Sequence, residues 1–203
     1  HVLDNLDVKI QADGEITVKG PSVFQGYYKD DEKTKEAFTE DGYFMTGDIG
    51  HIDEEGFLHI TDRKKEMFKT SGGKYVAPQV LENLAKGSKF IEQIMVVGDG
   101  EKMPCALVQP DYAFAKLWAE RKHLKIGKTP EEMANSPELK ARIMKDINLL
   151  NATLGKWEQI KKIELTPTLW TIEDGLLTPT MKLKRKAVKE KFFNLYEKLY
   201  DRA

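Results

Sequence analysis

The hydrophobic pattern of the chain changes at about Thr61–Lys65, and this change divides the sequence into two parts. Before it, residues 14–20 alternate apolar with polar residues between two glycines, as a half-buried strand does, and residues 51–60 have the form of a hairpin, strand, turn and strand. After it, longer periodic stretches predict a mixture of helices and strands. The predicted helices are 31–38, 78–86, 112–122, 137–150 and 185–200, and the predicted strands after the change are 91–97, 103–109 and 160–165. The pattern therefore predicts an α+β fold.

Composition excludes several classes of protein. The chain has 203 residues, 40% of them hydrophobic, and its 32 basic and 33 acidic side chains leave a net charge of −1. This is enough apolar material for a core, and it argues against intrinsic disorder and against a dedicated nucleic-acid binder. The longest apolar runs, Ile94–Val97 and Cys105–Val108, are far shorter than the roughly 20 residues of a membrane span. A single cysteine, Cys105, cannot form an internal disulfide, so we expect a reducing, cytosolic setting.

The first stretch with chemical potential is Thr46-Gly47-Asp48, which follows an aromatic strand. We expect a turn at the strand end, where Gly47 lets the backbone come close to a ligand. The two acceptor oxygens of the Asp48 carboxylate match the two hydroxyls of a ribose diol. An ordinary Asx turn is the alternative interpretation.

Two further stretches are basic. Residues 61–78 carry Arg63, Lys65 and Lys69 around Gly72 and Gly73, a permissive connector suited to polyphosphate contact or hinge motion. Residues 175–186 place a lysine on a turn before the last helix, and six basic side chains lie between residues 182 and 191. The alternative for residues 61–78 is a solvated loop. The alternative for residues 175–186 is a soluble basic helix face, or a weak patch for anionic membranes or nucleic acid.

Together and in this order, the three stretches resemble the C-terminal part of the AMP-forming acyl-CoA synthetase family, which includes firefly luciferase and the adenylation domains of peptide synthetases. Tyr43–Asp48 resembles the family's Tyr-x-x-Thr-Gly-Asp motif, and Asp62–Pro78 resembles its Asp-Arg-x-Lys motif with Gly72, Val76 and Pro78 in place. Leu177–Lys182 resembles the stretch that carries the catalytic lysine. The resemblance spans essentially the whole chain.

Within this family, the chain looks most like long-chain fatty acyl-CoA synthetases. Residues 68–79 and 177–185 carry that likeness, and residues 124–154 form an extra helical stretch that luciferase-like relatives tend to lack. Those relatives usually have Gly just before the final lysine, where this chain has Met181.

The resemblance implies a role for each matched residue. Asp48 would bind the ribose hydroxyls, with Thr46 and Arg63 as further nucleotide-binding residues. Lys182 would be the catalytic lysine of the adenylation step. Asp62 and Lys65 match the hinge about which the small domain rotates between half-reactions. The side chain of Lys69 and the backbone of Gly72 and Gly73 match the face that receives CoA in thioester formation. No metal ligand is predicted.

The resemblance also implies an organisation. Residues 1–62 would be the β-rich end of the large AMP-binding domain, and residues 63–203 a mobile C-terminal domain with a short central β-sheet flanked by helices. We expect a C-terminal portion of a long-chain fatty acid-CoA ligase, inactive alone, with no tightly bound cofactor.

The complete enzyme would use ATP, Mg²⁺ and CoA, binding ATP or AMP and the fatty acid through the rest of the large domain. The expected location is the cytoplasm, with peripheral contact at the inner membrane face left open and the oligomeric state undetermined. The competing hypothesis is a noncatalytic basic module that binds a membrane or a protein partner.

Overall fold

The computed structural model describes residues 4–202, so residues 1–3 and 203, at the outer ends of the two predicted domains, lie outside it. Helices and sheets are both present, which confirms the α+β class. The backbone forms two compact units that divide between Met67 and Phe68.

The first unit is built on a four-stranded antiparallel sheet in the order β1-β2-β3-β4. Its elements are β1 (Asp7–Ile10), β2 (Glu15–Lys19), α1 (Asp31–Ala37), β3 (Phe44–Ile52) and β4 (Leu58–Arg63). The predicted strand, short helix and hairpin of this part are confirmed, and β1 is an addition. Asp53 closes the β3–β4 turn by accepting hydrogen bonds from the Glu55 and Phe57 amides.

Close backbone approach explains one glycine in this sheet. A Cβ atom at Gly50 would lie 2.1 Å from the carbonyl oxygen of His59 on β4, a distance that no side chain tolerates. Gly50 therefore lets β3 and β4 pair where a larger residue would separate them. Beside the sheet, the rings of Phe24, Phe38 and Phe44 pack together with centroids 5.1–5.6 Å apart.

The second unit contains a small hairpin, a three-stranded sheet and six helices among the described residues. The strands are β5 (Phe68–Lys69), β6 (Tyr75–Val76), β7 (Ile91–Val97), β8 (Cys105–Pro110) and β9 (Ile163–Leu165). The helices are α2 (Pro78–Ala85), α3 (Tyr112–Lys122), α4 (Pro130–Ala134), α5 (Pro137–Asn151), α6 (Arg185–Lys191) and α7 (Phe193–Leu199). β7 pairs with β8 antiparallel, and β8 pairs with β9 parallel.

The central sheet is buried on both faces. Alternate residues of β7 point to opposite sides, so Ile94 and Val96 join one hydrophobic cluster while Met95 and Val97 join another. The first cluster packs the sheet against α2, α3 and α5, and the second packs it against α6 and α7. This burial explains why β7 and β8 read as nearly continuous apolar runs.

Local capping fixes where the long helices begin. The side chain of Asp111 accepts a hydrogen bond from the Phe114 amide at the start of α3, and Ser136 does the same for Leu139 at the start of α5. Pro78 occupies the first turn of α2, where its missing N–H costs nothing.

The structure confirms the predicted helices and strands of this unit with two changes. The last helix is interrupted at Phe192, whose ring is buried and stacks on Trp170 while its backbone leaves the helical region. β9 begins at Ile163 and not at residue 160, because both backbone groups of Ile160 bond to a side chain. The sequence does not predict the β5–β6 hairpin, and it predicts α4 only as part of the extra helical stretch 124–154.

None of the helices in residues 4–202 has the length and apolar character that a bilayer crossing requires. Cys105 is buried and, as the single cysteine of the chain, forms no internal disulfide.

We predict that Asn151→Ala destabilises the second unit by about 2 to 4 kcal/mol, because it leaves two buried backbone groups without partners. The Asn151 side chain donates to the Ile160 carbonyl at 2.8 Å and accepts from the Ile160 amide at 2.9 Å. Chemical denaturation of both proteins measures the loss. Asn148→Ala, one turn earlier on the exposed side of α5, is the matched control and should change stability by less than about 0.5 kcal/mol. Equal losses in the two variants would contradict the prediction.

Candidate functional site

Thr46, Gly47 and Asp48 form a bulge inside β3. Thr17 pairs with Met45 and Glu15 with Ile49, so these three residues face only Ile16 of β2. The expectation of a turn at the strand end is wrong, because β3 continues to Ile52. Gly47 has a φ of 71°, which explains why glycine occupies the bulge.

Hydrogen bonds hold the bulge in place. The Thr46 hydroxyl donates to the Ile16 carbonyl at 2.6 Å and accepts from the Asp48 amide at 3.1 Å. The Gly47 amide donates to the buried carboxylate of Glu15 at 3.0 Å. Thr46 therefore shapes the loop that presents Asp48.

Asp48 and Arg63 are brought together as cross-strand partners of β3 and β4. Arg63 Nε lies 2.8 Å from Asp48 Oδ1, and the arginine side chain is 62% exposed. The pair offers carboxylate and guanidinium groups at one surface, the combination that can accept from a diol and donate to a phosphate or ring oxygen.

The two lysines that follow Arg63 differ, because within the described residues Lys64 is held by ion pairs and Lys65 is not. The Lys64 ammonium bonds to Glu15 at 2.7 Å and Asp13 at 2.8 Å, and its amide donates to the Gly47 carbonyl at 2.8 Å. The hydrogen bonds of the ammonium group to Asp13 and Glu15 raise the pKa of Lys64, and the bond from Lys64 lowers the pKa of the Asp13 carboxyl. The next side chain, Lys65, is exposed and makes no ion pair within residues 4–202. The backbone up to Lys64 is therefore fixed to the first unit.

Asp62, the other predicted hinge residue, is buried at the end of β4 and accepts a hydrogen bond from the Arg63 amide at 2.6 Å. Its placement in the sheet makes it a fixed residue of the first unit. The predicted hinge role of Asp62 and Lys65 stays a prediction.

Lys69, Gly72 and Gly73 lie together in the β5–β6 hairpin. Gly73 has a φ of 79°, and a Cβ at Gly72 would meet nothing nearer than the Thr70 hydroxyl oxygen at 3.9 Å. The hairpin is tied to the turn between β7 and β8, where the Ser71 amide donates to the Glu101 carbonyl at 2.8 Å. The hairpin is thus held in place, and its backbone at Gly72 and Gly73 carries no side chain.

The β7–β8 turn is itself held by the end of α7. The Glu101 carboxylate accepts hydrogen bonds from Arg202 at 2.7 Å and from the Tyr196 hydroxyl at 3.0 Å. Burial, with the neighbouring Glu101 carboxylate, raises the pKa of Tyr196 to about 12. Tyr196 therefore remains a neutral hydrogen-bond donor across the physiological pH range.

Lys182 lies in a tight turn that leads into α6. Leu177 and Leu183 pair across the turn, and the Thr178 hydroxyl accepts from the Lys182 amide at 3.0 Å. Met181 adopts a φ of 61°, in the left-handed region. The Lys182 side chain is exposed and has no ion-pair partner within the described part of the chain, so its ammonium is available to an anionic substrate.

A basic cavity of about 320 Å³ beside the hairpin was missed by the sequence reasoning. Its lining residues are Thr70, Lys102, Met103, Pro104, Lys156, Trp157, Lys161 and Lys162. The Trp157 side chain is 48% exposed, with the Lys74 ammonium 5.5 Å from its ring. Lys102 and Lys156 have no ion-pair partner in residues 4–202. The run from Lys156 to Lys162 gave a partial signal, but only the fold brings Lys102 and Thr70 beside it.

Comparison of the sequence with known proteins finds long-chain fatty acid-CoA ligases among its relatives. Long-chain-fatty-acid--CoA ligase FadD15 of Mycobacterium tuberculosis is 42% identical over 195 residues, covering 96% of this chain and 32% of the relative. Rat long-chain-fatty-acid--CoA ligase 6 is 42% identical over 193 residues, covering 94% of this chain and 27% of the relative. The chain thus spans about a third or less of the length of these relatives.

Solved structures agree. The adenylation domain of a carboxylate reductase from Mycobacterium chelonae matches with a TM-score of 0.71 at 30% identity, over 93% of this chain and 28% of that one. The corresponding domain from Segniliparus rugosus, in complex with AMP and a carboxylic acid, matches with a TM-score of 0.71 at 27% identity, over 93% and 28% of the two chains. A family model described as the AMP-binding enzyme C-terminal domain matches residues 66–203, more than half of the chain. The chain therefore belongs to the AMP-binding enzyme C-terminal domain family.

Proposed function

We propose that this chain forms the C-terminal part of an AMP-forming long-chain fatty acid-CoA ligase. The observation that carries the proposal is the identity of 40–42% to long-chain fatty acid-CoA ligases over nearly the whole chain. Such an enzyme joins a carboxylic acid to ATP, giving acyl-AMP and pyrophosphate. The thiol of CoA then displaces AMP and leaves the thioester.

Asp48 and Arg63 are proposed to hold the nucleotide. The Asp48 carboxylate would accept hydrogen bonds from the ribose hydroxyls, and Arg63 would orient that carboxylate through the 2.8 Å contact while donating to the nucleotide. Thr46 would act by shaping the bulge. The rigid support of this bulge by Glu15 is consistent with a preorganised nucleotide site.

Lys182 is proposed as the catalytic residue of adenylation. Negative charge builds up between the attacking carboxylate and the α-phosphate, and an ammonium group at that point stabilises it. The exposed, unpaired side chain of Lys182 fits this role, since forming the site would break no existing ion pair within the described residues.

The sequence implies a large domain that includes residues 1–62 and a mobile domain of residues 63–203, and the proposed organisation keeps this division with the pivot at Lys65. Arg63 and Lys64 would stay with the large domain, since both are ion-paired to residues of the first unit. The anchored Lys64 and the exposed Lys65 support a pivot at Lys65, since backbone dihedral angles change most easily just beyond a fixed point. Lys69, Gly72 and Gly73 would face CoA after rotation.

CoA is proposed to use the basic cavity as well as the hairpin. The phosphates of its nucleotide end suit the ammonium groups of Lys102 and Lys156, and the Trp157 ring offers a stacking surface for a base.

Mg²⁺ is not assigned a site on this chain, because within residues 4–202 no group of His, Cys, Asp and Glu side chains could hold a metal ion. No step is therefore assigned to Mg²⁺ through this chain.

The basic-module alternative is weaker, because much of the charge between residues 182 and 191 is already engaged. Arg185 pairs with Glu82, Lys191 with Asp174, and Lys189 lies 4.0 Å above the ring of Tyr196. The cytoplasmic location, peripheral membrane contact, oligomeric state and absence of a tightly bound cofactor all stay predictions.

The test of Lys182 uses the complete ligase that carries this chain. Lys182→Ala should lower the rate of acyl-AMP formation by about 10²- to 10³-fold, because one well-placed charge stabiliser of the transition state is lost. Thioester formation from supplied acyl-AMP should stay close to the wild-type rate. Pyrophosphate release measures the first step, and CoA thioester formation measures the second.

Lys186→Ala is the matched control for Lys182→Ala. Lys186 lies four residues further on, with a side chain that is 92% exposed, and its removal should leave both half-reactions unchanged. Equal losses of both half-reactions in Lys182→Ala would refute the proposed catalytic role.

The basic cavity gives a separate prediction. The double variant Lys102→Glu/Lys156→Glu should raise the KM for CoA about tenfold, the effect of roughly 1.4 kcal/mol of lost charge interaction. Acyl-AMP formation should not change. With pantetheine as the thiol, which lacks the phosphorylated nucleotide, variant and wild type should have equal KM values.

Lys116→Glu/Lys122→Glu, a charge reversal on α3, controls for the change in net charge. An equal rise in KM for CoA in this control, or a rise with pantetheine in the cavity variant, would show that the cavity does not bind the nucleotide end.

A further inference from the structure

We propose that Arg185, held by Glu82, is a positioning residue that sets the location of Lys182 for the adenylation step. Arg185 is the first residue of α6 and follows Lys182 by three positions. The inference rests on the proposed function, because it concerns how the same lysine is held.

The Arg185 guanidinium contacts both Glu82 on α2 and the backbone of β7, each through a different nitrogen. Nη2 lies 2.8 Å from Glu82 Oε1 and 2.7 Å from Oε2, and Nη1 donates to the Val96 carbonyl at 3.2 Å. The side chains are only 25% and 9% exposed. Since each group partly satisfies the other in a shielded place, the pair has little freedom to move.

The same pair completes the edge of the central sheet. β7 is an edge strand in the order β7-β8-β9, and the Val96 amide donates to Glu82 Oε1 at 2.7 Å. Glu82 thus satisfies the amide of Val96 while Arg185 satisfies its carbonyl. The guanidinium is thereby fixed to the sheet backbone, the most deeply buried part of this unit.

Lys182 lies between two anchored points. On one side, Leu176 and Leu177 are each 1% exposed and belong to the second hydrophobic cluster. On the other side, Arg185 is fixed to Glu82, and the Lys184 amide donates to the Leu176 carbonyl at 2.9 Å. The turn is clamped at both ends, and residues 179–182 at its tip, which include Lys182, are exposed.

A side-chain cap does not hold the start of α6, because Lys184, the residue that precedes the helix, makes no capping hydrogen bond with its side chain. The contacts of Arg185 with Glu82 and Val96 therefore contribute to fixing the first turn of this helix. Misplacement of a catalytic group by about 1 Å can cost on the order of 10² in rate, so this anchor should matter for chemistry.

The test is Arg185→Lys in the complete ligase. Lysine keeps a positively charged nitrogen opposite Glu82 but has no second nitrogen to donate to the Val96 carbonyl at the same time. Acyl-AMP formation should fall about 10- to 100-fold, while thioester formation from supplied acyl-AMP should stay within about twofold of wild type. Both rates are normalised to the folded fraction, measured by thermal unfolding of each preparation.

Glu82→Gln is a second variant that reaches the same contact from the other side. It retains an oxygen acceptor for the Val96 amide but removes the charge that fixes Arg185, so it should show the same selective loss. Arg142→Lys is the matched control, because Arg142 also pairs with a carboxylate, Asp146, and is 29% exposed. This control should leave both half-reactions unchanged.

The outcomes distinguish a failure of the positioning role of Arg185 from a failure of the proposed role of Lys182. Equal losses of both half-reactions in Arg185→Lys and Glu82→Gln, or wild-type adenylation in both, would overturn the positioning role. If Lys182→Ala in the same series retained full adenylation, the proposed function of Lys182 would fail instead. A selective adenylation loss in Lys182→Ala, Arg185→Lys and Glu82→Gln, with Arg142→Lys unaffected, supports the inference.

Discussion

Burial of the central sheet on both faces is the constraint on which the second unit depends. Alternate side chains of β7 and β8 enter two separate hydrophobic clusters, so helices must cover each face. Burying a large aliphatic side chain contributes roughly 1.5–3 kcal/mol, and these strands contain several such residues. The sheet is consequently a rigid base for the turn that carries Lys182 and for the glycine hairpin.

In each unit, one buried glutamate bonds both to a backbone amide of the sheet and to a basic side chain near a candidate functional lysine. Glu15 accepts from the Gly47 amide and pairs with Lys64, whereas Glu82 accepts from the Val96 amide and pairs with Arg185. A buried carboxylate is costly unless it is fully paired, so each glutamate restricts both its backbone donor and its basic partner. The fixed Lys64 lies next to the exposed Lys65, the proposed pivot. The fixed Arg185 lies three positions after the exposed Lys182, the proposed catalytic residue.

The sequence predicted the elements whose signals are local. Period-two alternation located β2, and Pro78 together with helical spacing located α2, because neighbouring residues determine both patterns. The β5–β6 hairpin was missed since two-residue strands have no periodicity, and the Thr46–Asp48 bulge was missed since it depends on pairing with β2. The basic cavity joins Lys102 to Lys156, residues far apart in sequence, so no local pattern could reveal it.

Met181 differs from the residue that luciferase-like relatives usually have before the final lysine, but its backbone has the conformation that glycine favours. Luciferase-like relatives usually have Gly just before the final lysine, and glycine is the residue that the left-handed region favours. Met181 keeps that conformation, with a φ of 61°, although a side chain there costs on the order of 1 kcal/mol. The cost is tolerated because the pairing of Leu177 with Leu183 and the hydrogen bonds between Thr178 and Lys182 hold the turn without using the side chain of residue 181. The geometry that presents Lys182 therefore comes from the anchors on either side of the turn, and Arg185 is one of them.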